Sequence, residues 1–213
     1  MAAPLTLYVD AAFLSPYALS AFVALTEKGL PIQLRPVDLD CGEQLMRPYL
    51  ARSITGRVPA LTHDDFHLSE SGVIAQYLED TFPPPEYPAL YPAERRPRAE
   101  ALQMQSWLRT DLLALRAERP TEVIFHGRAG QPLSDAAHAA SAKLIRVAQA
   151  LLAHGGPNLF GDWSIADVDL ALMLQRLACA GDDLPAELRG YAETQWQRPS
   201  VQRWVQYNAD ARA

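Results

Sequence analysis

Apolar and polar positions follow two different periods in the first third of the chain. Leu5 to Val9 (LTLYV) is a short apolar run rich in strand formers and predicts a first strand. Ser15-Pro16 then places Ser at a helix N-cap and Pro at the first helical position. The helix they open carries Leu19, Phe22, Val23 and Leu25 and stops at Gly29. Residues 32–37 (IQLRPV) read as a second strand, and residues 42–50 as a helix containing Leu45, Met46 and Tyr49. Val58-Pro59-Ala60-Leu61, an Asp64-Asp65 turn and Phe66-His67-Leu68 predict a hairpin. Residues 70–80 close the block as an amphipathic helix with Val73, Ile74, Tyr77 and Leu78 on its apolar face. The predicted order is βαβαββα.

Residues 82–93 (FPPPEYPALYPA) hold five prolines and predict a stiff, non-helical connector. Everything beyond it has helical periodicity: 94–118, 134–154, 164–178, 185–194 and 199–210, with Gly- or Pro-containing breaks at 126–132, 155–162 and 181–185. The expected organisation is an α/β domain over residues 1–82, a proline-rich linker over 83–93 and an all-helical domain over 94–213.

Charge sharpens this division. The chain of 213 residues has a net charge of -6, so nucleic acid is not an expected partner. Residues 1–82 carry ten acids against five bases, and the remainder fifteen against fourteen. The bases are seventeen Arg and two Lys, Lys28 and Lys143, which reads first as a composition bias. Cys41 and Cys179 stand far apart with no CxxC, which suits a reducing cytoplasm and reads as two buried or incidental thiols. No run approaches the ~20 apolar residues of a membrane span. The N-terminal MAAPLTLYVD has no basic start and meets Asp10 before any long apolar run, so neither a signal peptide nor a membrane partner is expected.

Several residues have two readings. Ser15 before Pro16 is a helix cap whatever else it does. Glu70 and Ser71 stand at a helix start, where Ser69 or Ser71 caps and where free N–H groups and the dipole also favour an anion. Pro59 is either a trans proline at a strand start or a cis bond that turns the chain sharply. Ser164-Ile165-Ala166-Asp167 is a capping-box variant in which Trp163 can staple against Val168. It opens a helix apolar nearly all round, so Asp167 reads as a fold residue whose loss costs about 0.5–2 kcal/mol. His63, Asp64, Asp65 and His67 fall on a turn and alternate faces, so no metal is expected. Arg109 and Arg116 lie on one face of the 94–118 helix and suit a salt bridge between helices.

Phe13-Leu14-Ser15-Pro16-Tyr17, Val58-Pro59-Ala60-Leu61, Leu68-Ser69-Glu70-Ser71-Gly72 and Ser164-Ile165-Ala166-Asp167, in this order, resemble the glutathione transferases. The likeness spans essentially the whole chain and is closest to the bacterial YfcF-type branch. It implies a thioredoxin-like α/β N-terminal domain, an all-α C-terminal domain, glutathione as co-substrate and a homodimer. It makes Pro59 a cis-proline that leaves the backbone of Val58 to pair with the cysteinyl part of the peptide, as an added strand would. It also sets Glu70 against the ligand's ammonium, Ser71 against its γ-glutamyl carboxylate and Arg57 against its glycyl carboxylate, with Gln44 or Arg47 as further candidates. The second substrate is then a small hydrophobic electrophile beside the helix of Arg109 and Arg116.

A free thiol has a pKa near 8.5, and lowering it by two units takes about 2.7 kcal/mol of preferential thiolate stabilisation. Ser15, as a hydrogen-bond donor at a helix N-terminus, is the first candidate to supply it. Tyr8 is the other hydroxyl, and a backbone amide the third possibility. Without a Cys at position 15 the chain cannot form the mixed disulfide of cysteine-type relatives. The resemblance leaves three activities open: thiol transfer, glutathione-dependent disulfide or peroxide reduction, and ligand binding without catalysis.

Overall fold

The computed structural model describes residues 5–127 and 130–212. Residues 1–4, the start of the N-terminal MAAPLTLYVD, residues 128–129, inside the 126–132 break, and residue 213 lie outside the described residues. Two compact units emerge: Met1–Leu90 together with Pro199–Ala213, and Tyr91–Arg198.

The first unit follows the predicted order: β1 (Leu5–Asp10), α1 (Pro16–Glu27), β2 (Ile32–Val37), a 3-10 turn (Glu43–Leu45), α2 (Arg47–Leu50), β3 (Ala60–His63), β4 (Phe66–Ser69) and α3 (Ser71–Thr81). The sheet order is β2-β1-β3-β4, with β1 parallel to β2 and the other pairs antiparallel. Leu5, Leu7 and Val9 alternate onto one buried face of β1, and α1 and α3 bury Leu19, Phe22, Ile74 and Leu78. The helix expected over 42–50 is broken. Pro48 has no N–H for the carbonyl of residue 44, so the chain makes one 3-10 turn and restarts with Pro48 in the first turn of α2.

The last helix, α10 (Pro199–Ala211), belongs to this first unit, although it follows the helical run in sequence. It lies against α1, where Trp204 is fully buried against Phe13 and Phe22. The compact unit that α10 joins thus differs from its place at the end of the 94–213 helical run. Periodicity shows that α10 is amphipathic but not which surface covers its apolar stripe.

The proline connector is non-helical, as expected, and it is also fastened. Lys28, 1% exposed, meets the Glu79 carboxylate at 2.6 Å and donates to the Phe82 carbonyl at 2.7 Å, while Leu90 N–H donates to Glu79 at 2.9 Å. A buried pair satisfied in this way holds α1, α3 and the connector together, and removing one partner strands the other charge.

The second unit comprises α4 (Arg95–Thr110), α5 (Leu113–Glu118), α6 (Glu122–His126), α7 (Asp135–Leu152), α8 (Ile165–Ala180) and α9 (Ala186–Trp196). The predicted 94–118 helix divides at Asp111 and Leu112, where Leu112 takes a left-handed φ of 60°. The Asp111 carboxylate accepts from Leu112 N–H, Trp107 Nε1 and Lys143 Nζ. Helix α6 is short and had no periodic signal. Helix α8 is the expected core helix, buried from Ile165 to Val168 and from Leu170 to Leu177.

Candidate functional site

Three segments converge by register at one end of the sheet. β1 pairs with β3 so that Tyr8, two residues before the end of β1, faces Ala60, the first residue after Val58-Pro59. β3 pairs with β4 so that Ala60 faces Ser69, and Val58-Pro59 thus leads into β3 at the same end where Glu70 and Ser71 leave β4. The end of β1, the turn before β3 and the start of α3 thus share one edge of the fold, and α1 starts from the same end.

Residues 11–15 carry the chain from β1 into α1. The buried Asp10 carboxylate accepts from the N–H groups of Leu14 at 2.6 Å and Ser15 at 3.0 Å. Burial pushes this carboxyl above its ordinary range, while those two amides pull it back. Ser15 is the N-cap of α1: its Oγ accepts from Ala18 N–H at 3.2 Å, and Pro16 stands in the first turn. Accepting a bond leaves the hydroxyl hydrogen to donate, and Ser15 is only half-buried. Capping and donation to a ligand therefore coexist on one oxygen.

Val58-Pro59 is cis, as the resemblance implied. Among the described residues neither the N–H nor the C=O of Val58 has a hydrogen-bond partner. The preceding carbonyl, that of Arg57, accepts from Tyr49 Oη at 2.7 Å and Ser53 Oγ at 3.0 Å, and Ser53 Oγ also meets Ser69 Oγ at 3.1 Å. Ser53, fully buried, thus ties the Val58 segment to the Glu70 segment. Burial pushes the Tyr49 hydroxyl up to about 12, so it is a permanent donor here.

At the start of α3 the expected serine cap is absent. Glu70 takes the N-cap place with φ 70° and ψ 113°, and its own side chain makes no capping hydrogen bond. A positive φ at an exposed non-glycine residue costs of order 1–3 kcal/mol and persists where function or packing demands it. Ser69 is occupied by Ser53, and Ser71 is buried as the first helical residue.

The other sequence candidates separate. Arg57 is exposed and has no ion-pair partner among the described residues. Gln44 Nε2 donates to the Leu39 carbonyl at 3.3 Å, and its Oε1 is buried without a partner. Arg47 is exposed. Tyr8 shares the Asp10 face of β1, but its ring packs edge-on against Tyr49 with Arg52 over it. Both cysteines are exposed, which corrects the buried alternative. The Asp38 carboxylate beside Cys41 raises that thiol, and partial desolvation of the sulfur raises Cys179, so neither is an activated nucleophile.

His63 Nδ1 lies 2.7 Å from Tyr77 Oη and His67 Nδ1 2.9 Å from Thr62 Oγ1. Among the described residues no group of three or more His, Cys, Asp or Glu could hold a metal ion. Arg109 forms an interhelical salt bridge to Asp169 at 3.0 Å, but Arg116 lies on α5, so the shared face of one helix does not exist.

Asp167 exceeds its expected role. Its carboxylate accepts from Leu159 N–H (2.7 Å), Ser164 N–H (2.8 Å), Ser164 Oγ (3.1 Å) and Tyr191 Oη (2.9 Å), all buried. Trp163 stacks with Arg198, whose guanidinium sits 4.0 Å from the ring centre. Sequence reasoning missed Asp10, Tyr49 and Ser53. A polar residue ending an apolar strand was a signal for Asp10, whereas nothing local marks Ser53.

Comparison with known proteins places both halves of the chain in one family. Residues 11–86 match the glutathione S-transferase N-terminal domain and residues 94–210 the C-terminal domain of that family. A glutathione transferase homologue from Burkholderia gl BGR1, crystallised with bound glutathione, is 44% identical, with a TM-score of 0.81 over 98% of this chain and 100% of that one. Glutathione S-transferase theta-1 of Homo sapiens is 32% identical over 108 residues, which is 51% of this chain and 43% of its own length. Glutathione S-transferase 3 of Zea mays is 35% identical over 109 residues, 51% of this chain and 46% of its own. The match thus spans less than half the length of these curated relatives. Two domain matches in the right order, and a bacterial homologue aligned end to end, establish that the chain belongs to the glutathione S-transferase family.

Proposed function

We propose that this chain binds glutathione at the end of the sheet and activates its thiol for attack on a small hydrophobic electrophile. The observation that carries the reading is the convergence of a half-buried Ser15 at the α1 N-terminus, an unpaired Val58 backbone and an α3 start that the Glu70 side chain does not cap. The cysteinyl part of the peptide pairs with Val58 as a short added strand. Its γ-glutamyl carboxylate takes the first-turn N–H groups of α3 with Ser71, its ammonium faces Glu70, and Arg57 meets the glycyl carboxylate. The net result is a local positive site in a domain of acidic excess.

In the reaction the thiol proton leaves to solvent. The thiolate then forms a C–S bond as the electrophile's leaving group departs with its electron pair. Ser15 donates a hydrogen bond to the sulfur throughout and is not itself consumed. Its hydroxyl and the positive end of α1 together have to supply the roughly 2.7 kcal/mol that a two-unit fall in thiol pKa requires. The place of Ser15 at the N-terminus of α1, where the helix dipole adds to its hydroxyl, favours it over Tyr8, which lies on β1.

The proposal includes a homodimer at work in the cytoplasm. Exposed Leu45, Met46 and Ile54, between β2 and β3, offer apolar surface of the kind an interface covers. No helix among the described residues is long and apolar enough to cross a membrane. Ultraviolet titration of bound glutathione, comparing wild type with Ser15→Ala, tests the reading. A wild-type thiol pKa well below 8.5 that returns toward it in the variant is the expected result, and an unchanged pKa removes Ser15 from the role.

A further inference from the structure

Residues 11–15, which present Ser15, have no regular structure, yet their backbone is held from two sides. On the strand side, Ala11 N–H donates to the Val37 carbonyl at 2.9 Å and Phe13 N–H to the Asp10 carbonyl at 3.0 Å, while the Asp10 carboxylate takes Leu14 and Ser15. On the other side stand two residues of α10. Asn208 Nδ2 donates to the Ala12 carbonyl at 2.8 Å, and Trp204 Nε1 to the Phe13 carbonyl at 2.9 Å.

These donors are built in. Trp204 is 0% exposed and Asn208 2%, and a polar group so enclosed destabilises the fold unless it finds a partner. Each has found its partner in this loop rather than on α10. Four residues apart, they lie on one face of the helix. Phe13, held between them, has a left-handed φ of 52°, and its ring packs between Trp204 at 5.1 Å and Tyr207 at 5.4 Å. A bulky residue in that region persists only when its surroundings over-determine it. At the far end of the contact, Ser200 of α10 donates to Glu27 of α1, so the helix that holds the loop is itself pinned to the helix that Ser15 caps.

We propose that Asn208 and Trp204 are positioning residues for thiol activation. By holding the carbonyls of Ala12 and Phe13 they set the backbone from which the Ser15 hydroxyl points at the sulfur. This rests on the reading of Ser15 as the donor. The physical reason is the steep distance and angle dependence of a hydrogen bond. A donor that drifts by about 1 Å, or falls below about 120°, loses most of its preference for thiolate.

The test uses the full-length protein with glutathione as ligand. Asn208→Leu removes the donor at similar volume, and Trp204→Phe removes the Nε1–H while keeping a ring against Phe13. Gln206→Ala, on the exposed side of the same helix, is the control. In both α10 variants the pKa of the bound thiol rises by about 0.5–1 unit, so the thiolate present below that pKa falls about three- to ten-fold. The value of kcat/KM falls by the same factor, and the KM for glutathione changes by less than about two-fold. In the double variant Ser15→Ala/Asn208→Leu, the thiol pKa equals that of Ser15→Ala alone, because the positioning acts through Ser15. Variants that melt earlier but titrate like wild type overturn the proposal and leave only a packing role. Should Asn208→Leu fail to fold, Trp204→Phe decides alone, and an unmoved pKa there refutes the proposal. If Ser15→Ala itself leaves the thiol pKa unmoved, the reading of Ser15 falls first. If Ser15→Ala moves it and the α10 variants do not, only the positioning role falls.

Discussion

The starts of α1 and α8 are built from the same parts and put them to opposite uses. Each has a serine at the N-cap and a buried aspartate nearby: Ser15 with Asp10, and Ser164 with Asp167. At α8 the serine is fully buried and its hydroxyl donates to Asp167, which also takes two amides and the Tyr191 hydroxyl. Every hydrogen is directed inward, and the cap is closed. At α1 the aspartate takes only backbone amides, and the half-buried Ser15 accepts from Ala18 with its own hydrogen left over. A serine cap is thus structural or available to a ligand according to where its hydroxyl hydrogen goes, which residue identity does not reveal.

Breaking the closed cap has the largest expected effect on stability. Asp167→Ala strands up to four buried donors and costs about 3–5 kcal/mol, above the ordinary range for a lost cap, with the bound thiol pKa unchanged. Chemical denaturation of the variant beside the thiol titration checks both halves. A loss within the usual cap range would show that the four donors find water.

Breaking the open cap gives the reverse pattern. Ser15→Ala lowers stability by only about 1 kcal/mol but raises the thiol pKa by about one unit, the hydroxyl's share beside the helix dipole, about ten-fold in thiolate at pH values below it. If instead it unfolds the protein as badly as Asp167→Ala, the two caps are alike and the comparison fails. Ser164→Ala is the matched control. It removes one of several donors to Asp167, costs about 1 kcal/mol and leaves glutathione binding intact.

The smallest effect is on pH. Burial holds the Asp167 carboxyl above 3.8, against the pull of Leu159, Ser164 and Tyr191. An acid raised in the folded state binds its proton more tightly there than in the unfolded chain. Its contribution to stability is therefore fullest below the unfolded pKa and declines as pH rises through the folded one. Measured by denaturant titration at stepped pH, wild type gains on Asp167→Asn as pH falls from 7 into that window. A flat difference would mean that the carboxyl is not raised. Asp10, raised for the same reason, gives the parallel comparison with Asp10→Asn.

The elements of the first unit were legible because strand and helix periods are local properties of the chain. The errors fall where a distant group intervened. Asp111 ends α4 with Lys143, 32 residues on, among its partners, and no pattern in residues 94–118 contains that lysine. Pro48 is the opposite case: its missing N–H was visible in the sequence and should have divided the 42–50 helix. In the site, Ser15, Val58, Glu70 and Ser71 stood in motifs. Asp10, Ser53, Trp204 and Asn208, which hold those motifs in place, belong to none. A polar Asn208 on the stripe of Val201 and Trp204 was a faint sign that α10 buries a hydrogen bond as well as apolar surface.

By itself the sequence determined the periods, the caps and the order of the elements, since these depend on residues a few places apart. It also carried the motifs of the family. Only the tertiary structure decided which cap is open, that α10 joins the α/β unit, and that the loop before Ser15 is held from both sides. These are matters of which donor meets which acceptor across up to 196 residues of chain, and packing alone brings such groups together.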